Sequence, residues 1–150
     1  MRRRADDELW VPSVILETGV RAVFSTIVVF SLYLLFAGHN RPGGGFVGGL
    51  TAGAAFVLVY AAYGPEGLRQ VVRAPPEALL GVGLLLAGGT GVAALLVGAD
   101  FLTSGAVDVD LPLFGHVKLT SALVFDTGVY AIVVGLVRMV LSTLGAEPSR

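Results

Sequence analysis

Four stretches of this chain each run for roughly the twenty apolar residues that a helix needs to cross a hydrocarbon core. No other feature of the sequence limits its fold as strongly. The first stretch extends from about Thr18 to Ala37, with Arg21 near its start and no charge between Ala22 and Gly38. The second, about Gly44 to Tyr63, is uncharged and rich in glycine and alanine, and the third, Leu79 to Ala99, is again uncharged. The fourth, about Val117 to Leu144, is longer and carries Lys118, Asp126 and Arg138. Lipid offers the backbone no hydrogen-bond partner, so continuous apolar runs of this length read as helices. A transmembrane barrel needs alternating segments of about ten residues, and these runs read as unbroken. The expected fold is an all-α integral membrane protein, a bundle of four transmembrane helices. It divides into an N-terminal segment 1–16, a membrane domain 17–144 with spans near 18–37, 44–63, 79–99 and 117–144, and a tail 145–150.

Composition agrees. Of the 150 residues 55% are hydrophobic and 14% are charged, against about 45–50% and about 25% in soluble domains. Twenty-one charges, 10 basic and 11 acidic, would cover the surface of a soluble domain thinly. The net charge of −1 argues against nucleic acid as a partner. The absence of cysteine excludes disulfides, thiolate metal sites and cysteine nucleophiles.

The connections are short. Residues 38–43 (GHNRPG) read as a tight turn. Residues 64–78 hold two arginines and three prolines, with room for a short interfacial helix, and residues 100–116 carry three aspartates and no lysine or arginine. Basic residues flanking spans set orientation. Arg2, Arg3, Arg4, Arg69, Arg73, Arg138 and Arg150 fall on one side, with Arg41 and Lys118 on the other. Both termini are therefore expected in the cytoplasm, where Arg21 pairs with Glu17 or snorkels to the interface. Asp6, Asp7 and Glu8 directly follow the basic start. No small-x-small cleavage site follows the first span, so it reads as retained.

Several patterns invite chemical readings. GGGFVG at 43–48 matches GxGxxG through Gly43, Gly45 and Gly48, but it lies between two apolar helices rather than in a strand–helix context, which argues against a dinucleotide site. Gly45, Gly49 and Gly53 recur every four residues, as do Gly44, Gly48 and Ala52. Such rows let a second helix approach closely; a glycine-rich hinge is the alternative. Pro42 suits a first helical turn. FDTG at 125–128 resembles the aspartic-protease signature, but that chemistry needs two carboxylates, and a single DTG inside an apolar run does not supply them.

Asp126 is the residue that composition does not anticipate. A continuous fourth helix would put it about 13 Å beyond Val117, where an unpaired charge is costly. Lys118 would then be about 12 Å away along the axis and roughly 80° around it, too far for a clean ion pair. Three readings fit: part of an ion or proton route, a structural bond to a neighbouring helix or subunit, or exposure at a thinned interface. Ser121, Thr120, Thr127 and Tyr130 extend the polar set along the same helix. His39 would titrate near neutral pH if unperturbed, as proton relay or as a capping turn residue, and His116 has a similar standing. The aspartates of 100–110 read as a solvated acidic loop, and no cluster has metal-ligand spacing. No cofactor is expected.

The strings GHNRPGGGFVGGL (38–50) and KLTSALVFDTGVY (118–130), in this order and spacing, resemble the B-type subunit of the multisubunit Mrp (Mnh) sodium/proton antiporters. Related domains occur in membrane-bound hydrogenase complexes. The resemblance covers about Glu17 to Met139. It implies a small four-helix subunit of a large complex in the bacterial plasma membrane, with other antiporter subunits and the lipid bilayer as partners. Sodium and protons are then the transported ions, and no covalent chemistry is expected. Pro42, Phe46, Lys118 and Asp126 are the positions the resemblance marks. A purely structural assembly component, or the equivalent component of a hydrogenase-type redox complex, remains the alternative.

Overall fold

The computed structural model describes residues 14–38, 42–96, 106–111 and 115–144, with the backbone alone in the two strands and at residues 14 and 16. In chain order the elements are α1 (Val14–Ala37), α2 (Gly45–Val71), α3 (Pro76–Leu96), β1 (Ala106–Leu111), β2 (Gly115–Thr120) and α4 (Ser121–Leu144). All four helices are long and apolar enough to cross a membrane.

Helix boundaries follow local chemistry. Pro76 opens α3, where its missing N–H costs nothing, and Glu77 in that first turn suits the positive end of the helix. The helical run of α2 extends past the expected end at Tyr63. It is broken at Gly64, whose φ of 69° and ψ of −168° lie outside helical space, and it resumes from Pro65 to Val71. Proline disfavours a helical conformation at the residue before it and starts a new helix readily, so Gly64–Pro65 works as a bend followed by a short helix.

The fourth span requires a correction. Val117 to Thr120 are not helical; they belong to β2, which pairs antiparallel with β1 and sets Asp108 opposite Lys118 and Asp110 opposite His116. AVDVDL and HVKLT alternate polar and apolar residues, the period of a strand. Counting Val117 and Leu119 as part of an apolar run conceals that period. The described chain thus adds a two-stranded hairpin to its four helices.

Helices α2 and α4 pack together at the centre, with α1 against α2 and α3 against α4. Half of the most apolar stretch of α2 is buried, against 17% in α1 and α3, so the flanking helices present most of their surface to lipid or to other chains. The main core joins Ala52, Phe56 and Leu68 of α2 to Val134 and Leu141 of α4. Phe24 of α1 tilts against Phe56 with ring centroids 5.9 Å apart. The α3–α4 seam also brings backbones close: a Cβ on Gly83 would stand 2.7 Å from the Gly128 carbonyl oxygen, and one on Gly128 would stand 2.6 Å from the Ala87 nitrogen. In lipid, where apolar burial drives little, such close backbone approach supplies the packing energy.

At the other end of α4, Arg138 is buried, with 6% of its surface exposed. Its two terminal nitrogens donate to the carbonyls of Ala74 and Val72, the latter at 2.7 Å. It fastens the α2–α3 connection to α4.

Candidate functional site

The turn between α1 and α2 is built on glycine. The Gly44 N–H donates to the Leu34 carbonyl at 2.9 Å, folding the chain back onto α1. A Cβ on Gly38 would sit 2.4 Å from both the nitrogen and the Cα of Gly44, so only hydrogen fits there. Gly44 itself has φ 90°, a conformation that L side chains avoid. The first hydrogen bond of α2 runs from Gly48 N–H to the Gly44 carbonyl at 3.0 Å. The N–H groups before Gly48 form the partly positive end of the helix.

Asp126 lies against this end. It occupies the second turn of α4, about 8 Å from Ser121 rather than deep in a longer helix. A Cβ on Gly44 would be 3.4 Å and 3.5 Å from its two carboxylate oxygens, and one on Gly45 would fall 1.9 Å from its backbone carbonyl oxygen. The half-buried carboxylate therefore faces the N-terminus of α2, whose dipole favours negative charge by about 0.3–1 kcal/mol, and by up to about 2 kcal/mol when partly buried. Lys118 is not on the same helix, and the helical spacing drawn from it does not hold; its backbone belongs to β2.

The polar groups around Asp126 divide into two sets. Thr127 Oγ1 donates to the Leu123 carbonyl at 2.8 Å, within its own helix. Tyr130, one turn beyond Asp126, reaches α1: its hydroxyl lies 3.0 Å from Ser31 Oγ. Ser31 Oγ also donates to the Val28 carbonyl at 2.7 Å. A hydroxyl has one proton, so Tyr130 is the donor to Ser31.

The two glycine rows of α2 lie in this region. A Cβ on Gly48 would meet the Ser31 carbonyl oxygen at 2.8 Å, one on Gly49 the Val133 Cβ at 2.8 Å, and one on Gly53 the Val137 Cγ2 at 2.9 Å. Phe46 points the other way, 58% exposed, and Pro42 is exposed in the turn. The structure thus brings Asp126, Gly44, Gly45, Gly48 and Tyr130 together and leaves Phe46 on the outer face. His39 lies outside the described residues. Among the described residues, no three histidine, aspartate or glutamate side chains are grouped to hold a metal.

Two residues of this architecture carry little signal in the sequence. Ser31 is fully buried; the only hint is a hydroxyl inside an uncharged run. Arg138 reads as an orientation charge, and only its position well before the end of the apolar run sets it apart.

Residues 15–139 match the family described as "Domain related to MnhB subunit of Na+/H+ antiporter". The B-type component of the Na(+)/H(+) antiporter of Bacillus subtilis (strain 168) is 42% identical over 133 residues, covering 89% of this chain and 93% of that protein. Its counterpart from Alkalihalophilus pseudofirmus is 38% identical over 134 residues, covering 89% and 93%. A chain in the structure of the Mrp complex from Dietzia sp. DQ12-45-1b aligns with a TM-score of 0.75 at 35% identity, covering 91% of this chain and 14% of that longer chain. With the match extending from α1 nearly to the end of α4, this chain belongs to the family of MnhB-related antiporter domains.

Proposed function

We propose that this chain serves as the B-type subunit of a multisubunit monovalent cation/proton antiporter in a bacterial plasma membrane. It works there with the other subunits of an Mrp-type complex, with both termini in the cytoplasm. The exchange is sodium out for protons in, driven by the proton gradient, and no bond of a substrate is made or broken. The observation that carries this reading is the Asp126 carboxylate, held inside a membrane helix against the N-terminus of α2. Ionisable residues inside spans almost always face protein or water, and they mark ion and proton pathways. A carboxylate in this position can hold a cation or exchange a proton.

The packing around it supports a shared path. At Gly45, Gly49 and Gly53 the α2–α4 seam is too tight for a methyl group without rearrangement, so ions do not pass between these helices. A route that uses Asp126 runs along the outer face of the pair and is completed by neighbouring chains. The test is reconstitution of the whole complex with Asp126→Asn, Asp126→Ala and Asp126→Glu, measuring sodium-dependent proton movement beside native gels. Loss of exchange in an intact complex, with partial recovery in the Glu variant, is expected. Unimpaired exchange from all three intact complexes removes Asp126 from the route.

A second reading is favoured by the same seam. If Asp126 and the glycine face only hold the assembly together, Asp126→Ala lowers the yield of complex while every complex that forms transports normally.

A further inference from the structure

At the opposite end of the bundle from Asp126, the bend of α2, the α2–α3 connection and α4 enclose a cavity of about 360 Å³. Its lining includes Arg69, Arg73 and Arg138, with Pro75, Pro76 and Ser142, and contains no carboxylate among the described residues. Arg138 lies 17 residues beyond Ser121, about 26 Å along the helix, near the far boundary of a hydrocarbon core about 30 Å thick. The cavity therefore opens at the depth of lipid headgroups.

Arg138 is a buried cation satisfied only in part. Its terminal nitrogens bond to two backbone carbonyls, which carry dipoles but no net charge. Its Nε is buried without a hydrogen-bond partner among the described residues. Glu77 is close enough to act on Arg138 electrostatically, but it is exposed and does not line the cavity. Arg69 pairs with Glu66 at 3.7 Å, both side chains being about three-quarters exposed; such a pair contributes little and leaves Arg69 able to turn toward an anion. Burial of an arginine with no counter-charge in the cavity it lines is costly, and an anion in the cavity lowers that cost.

We infer that this cavity is a binding site for the phosphate of an anionic phospholipid headgroup. The arginine forks match phosphate oxygens, and basic pockets between transmembrane helices at headgroup depth are the usual setting for such recognition. Leu68, Val72 and Pro65 on the same lining give the glycerol and the first acyl methylenes an apolar edge. The bound lipid acts as a strut between the bent end of α2 and α4.

The test uses the whole antiporter complex, purified, stripped of lipid and returned to phosphatidylcholine nanodiscs with or without phosphatidylglycerol, or with inorganic phosphate added instead. The affinity for phosphatidylglycerol is read by native mass spectrometry of the wild type and of Arg69→Gln/Arg73→Gln, both exposed positions whose change leaves the fold intact. At roughly fivefold in affinity per arginine, the double variant should bind about 25-fold more weakly, and inorganic phosphate should not replace the lipid. Unchanged affinity in the double variant overturns the site. Full replacement by inorganic phosphate overturns the lipid assignment in favour of a soluble anion. A cryo-electron microscopy map with a neighbouring chain's carboxylate in the cavity assigns it to that chain instead.

Discussion

Replacing Gly45 by alanine tests whether the α2–α4 seam holds Asp126 in place. The new Cβ would lie 1.9 Å from the Asp126 carbonyl oxygen, 2.7 Å from its carbonyl carbon and 2.9 Å from its Cα. Real Cβ contacts do not fall below 3.0 Å, so the two backbones must part by at least 1.1 Å, the difference between 3.0 and 1.9. No side chain can rotate away to relieve the clash, because the obstacle is backbone. Gaps of about 0.5–1 Å forfeit a quarter to a half of each dispersion contact, and overpacking alone costs about 1–3 kcal/mol. Against this stands at most about 1 kcal/mol of helix propensity gained over glycine. With the lost dispersion roughly offsetting the propensity gain, the net penalty is about 1–3 kcal/mol, or roughly 5- to 150-fold in the equilibrium between docked and undocked α2. Gly53 provides the internal comparison. It lies on the same row, but its Cβ would meet only the Val137 side chain, at 2.9 Å from Cγ2. Gly53→Ala should therefore stay within about 1 kcal/mol of the wild type once the propensity gain is included. The assay is the thermal release of this chain from the purified complex, followed by native gel, beside the amount of complex formed in cells. If Gly45→Ala and Gly53→Ala behave alike, the backbone contact at Asp126 is not what holds α2 against α4.

Four further substitutions probe the same geometry. Tyr130→Phe removes the donor to Ser31 but leaves the Ser31–Val28 bond, so it should cost about 0.6 kcal/mol, the average for interhelical bonds in membranes. Ser31→Ala instead strands the Tyr130 hydroxyl and should cost about 1–3 kcal/mol; thermal release of the chain from the complex resolves the two. Arg138→Met deletes both bonds to the α2–α3 connection, each worth about 1.5–3 kcal/mol as charge-assisted bonds, and limited proteolysis should cut near residues 72–75 at least about tenfold faster than in the wild type. Phe46→Ala removes a ring that is 58% exposed, so the helical content and the Gly45 seam should be unchanged while association with neighbouring chains falls, as read by co-purification.

Hydropathy is enough to locate four helices, because lipid penalises any other arrangement of long apolar runs. It misplaces the start of α4, since a window average treats Val117 and Leu119 as core residues and ignores the polar residues alternating with them. Asp126 stands out by its cost, but its neighbour does not: the contact with Gly44 depends on a turn whose glycine packing, Gly38 on Gly44, is a three-dimensional fact with no periodic trace. Ser31 and Arg138 escape for the same reason. One is a lone hydroxyl and the other a charge already explained by orientation, and in each case the partner lies 64 to 99 residues away in the chain.

That separation gives the Arg138 clamp a consequence in time. The carbonyls of Val72 and Ala74 enter the membrane with the first two helices, while the arginine that binds them is 64 to 66 residues further on. At ribosomal speeds of about 5–20 residues per second, roughly 3 to 13 seconds pass before it is made. During that interval the arginine clamp on the bend of α2 does not yet exist. A chain halted before Arg138 lacks both bonds to the α2–α3 connection, and a chain extended through Arg138 makes them.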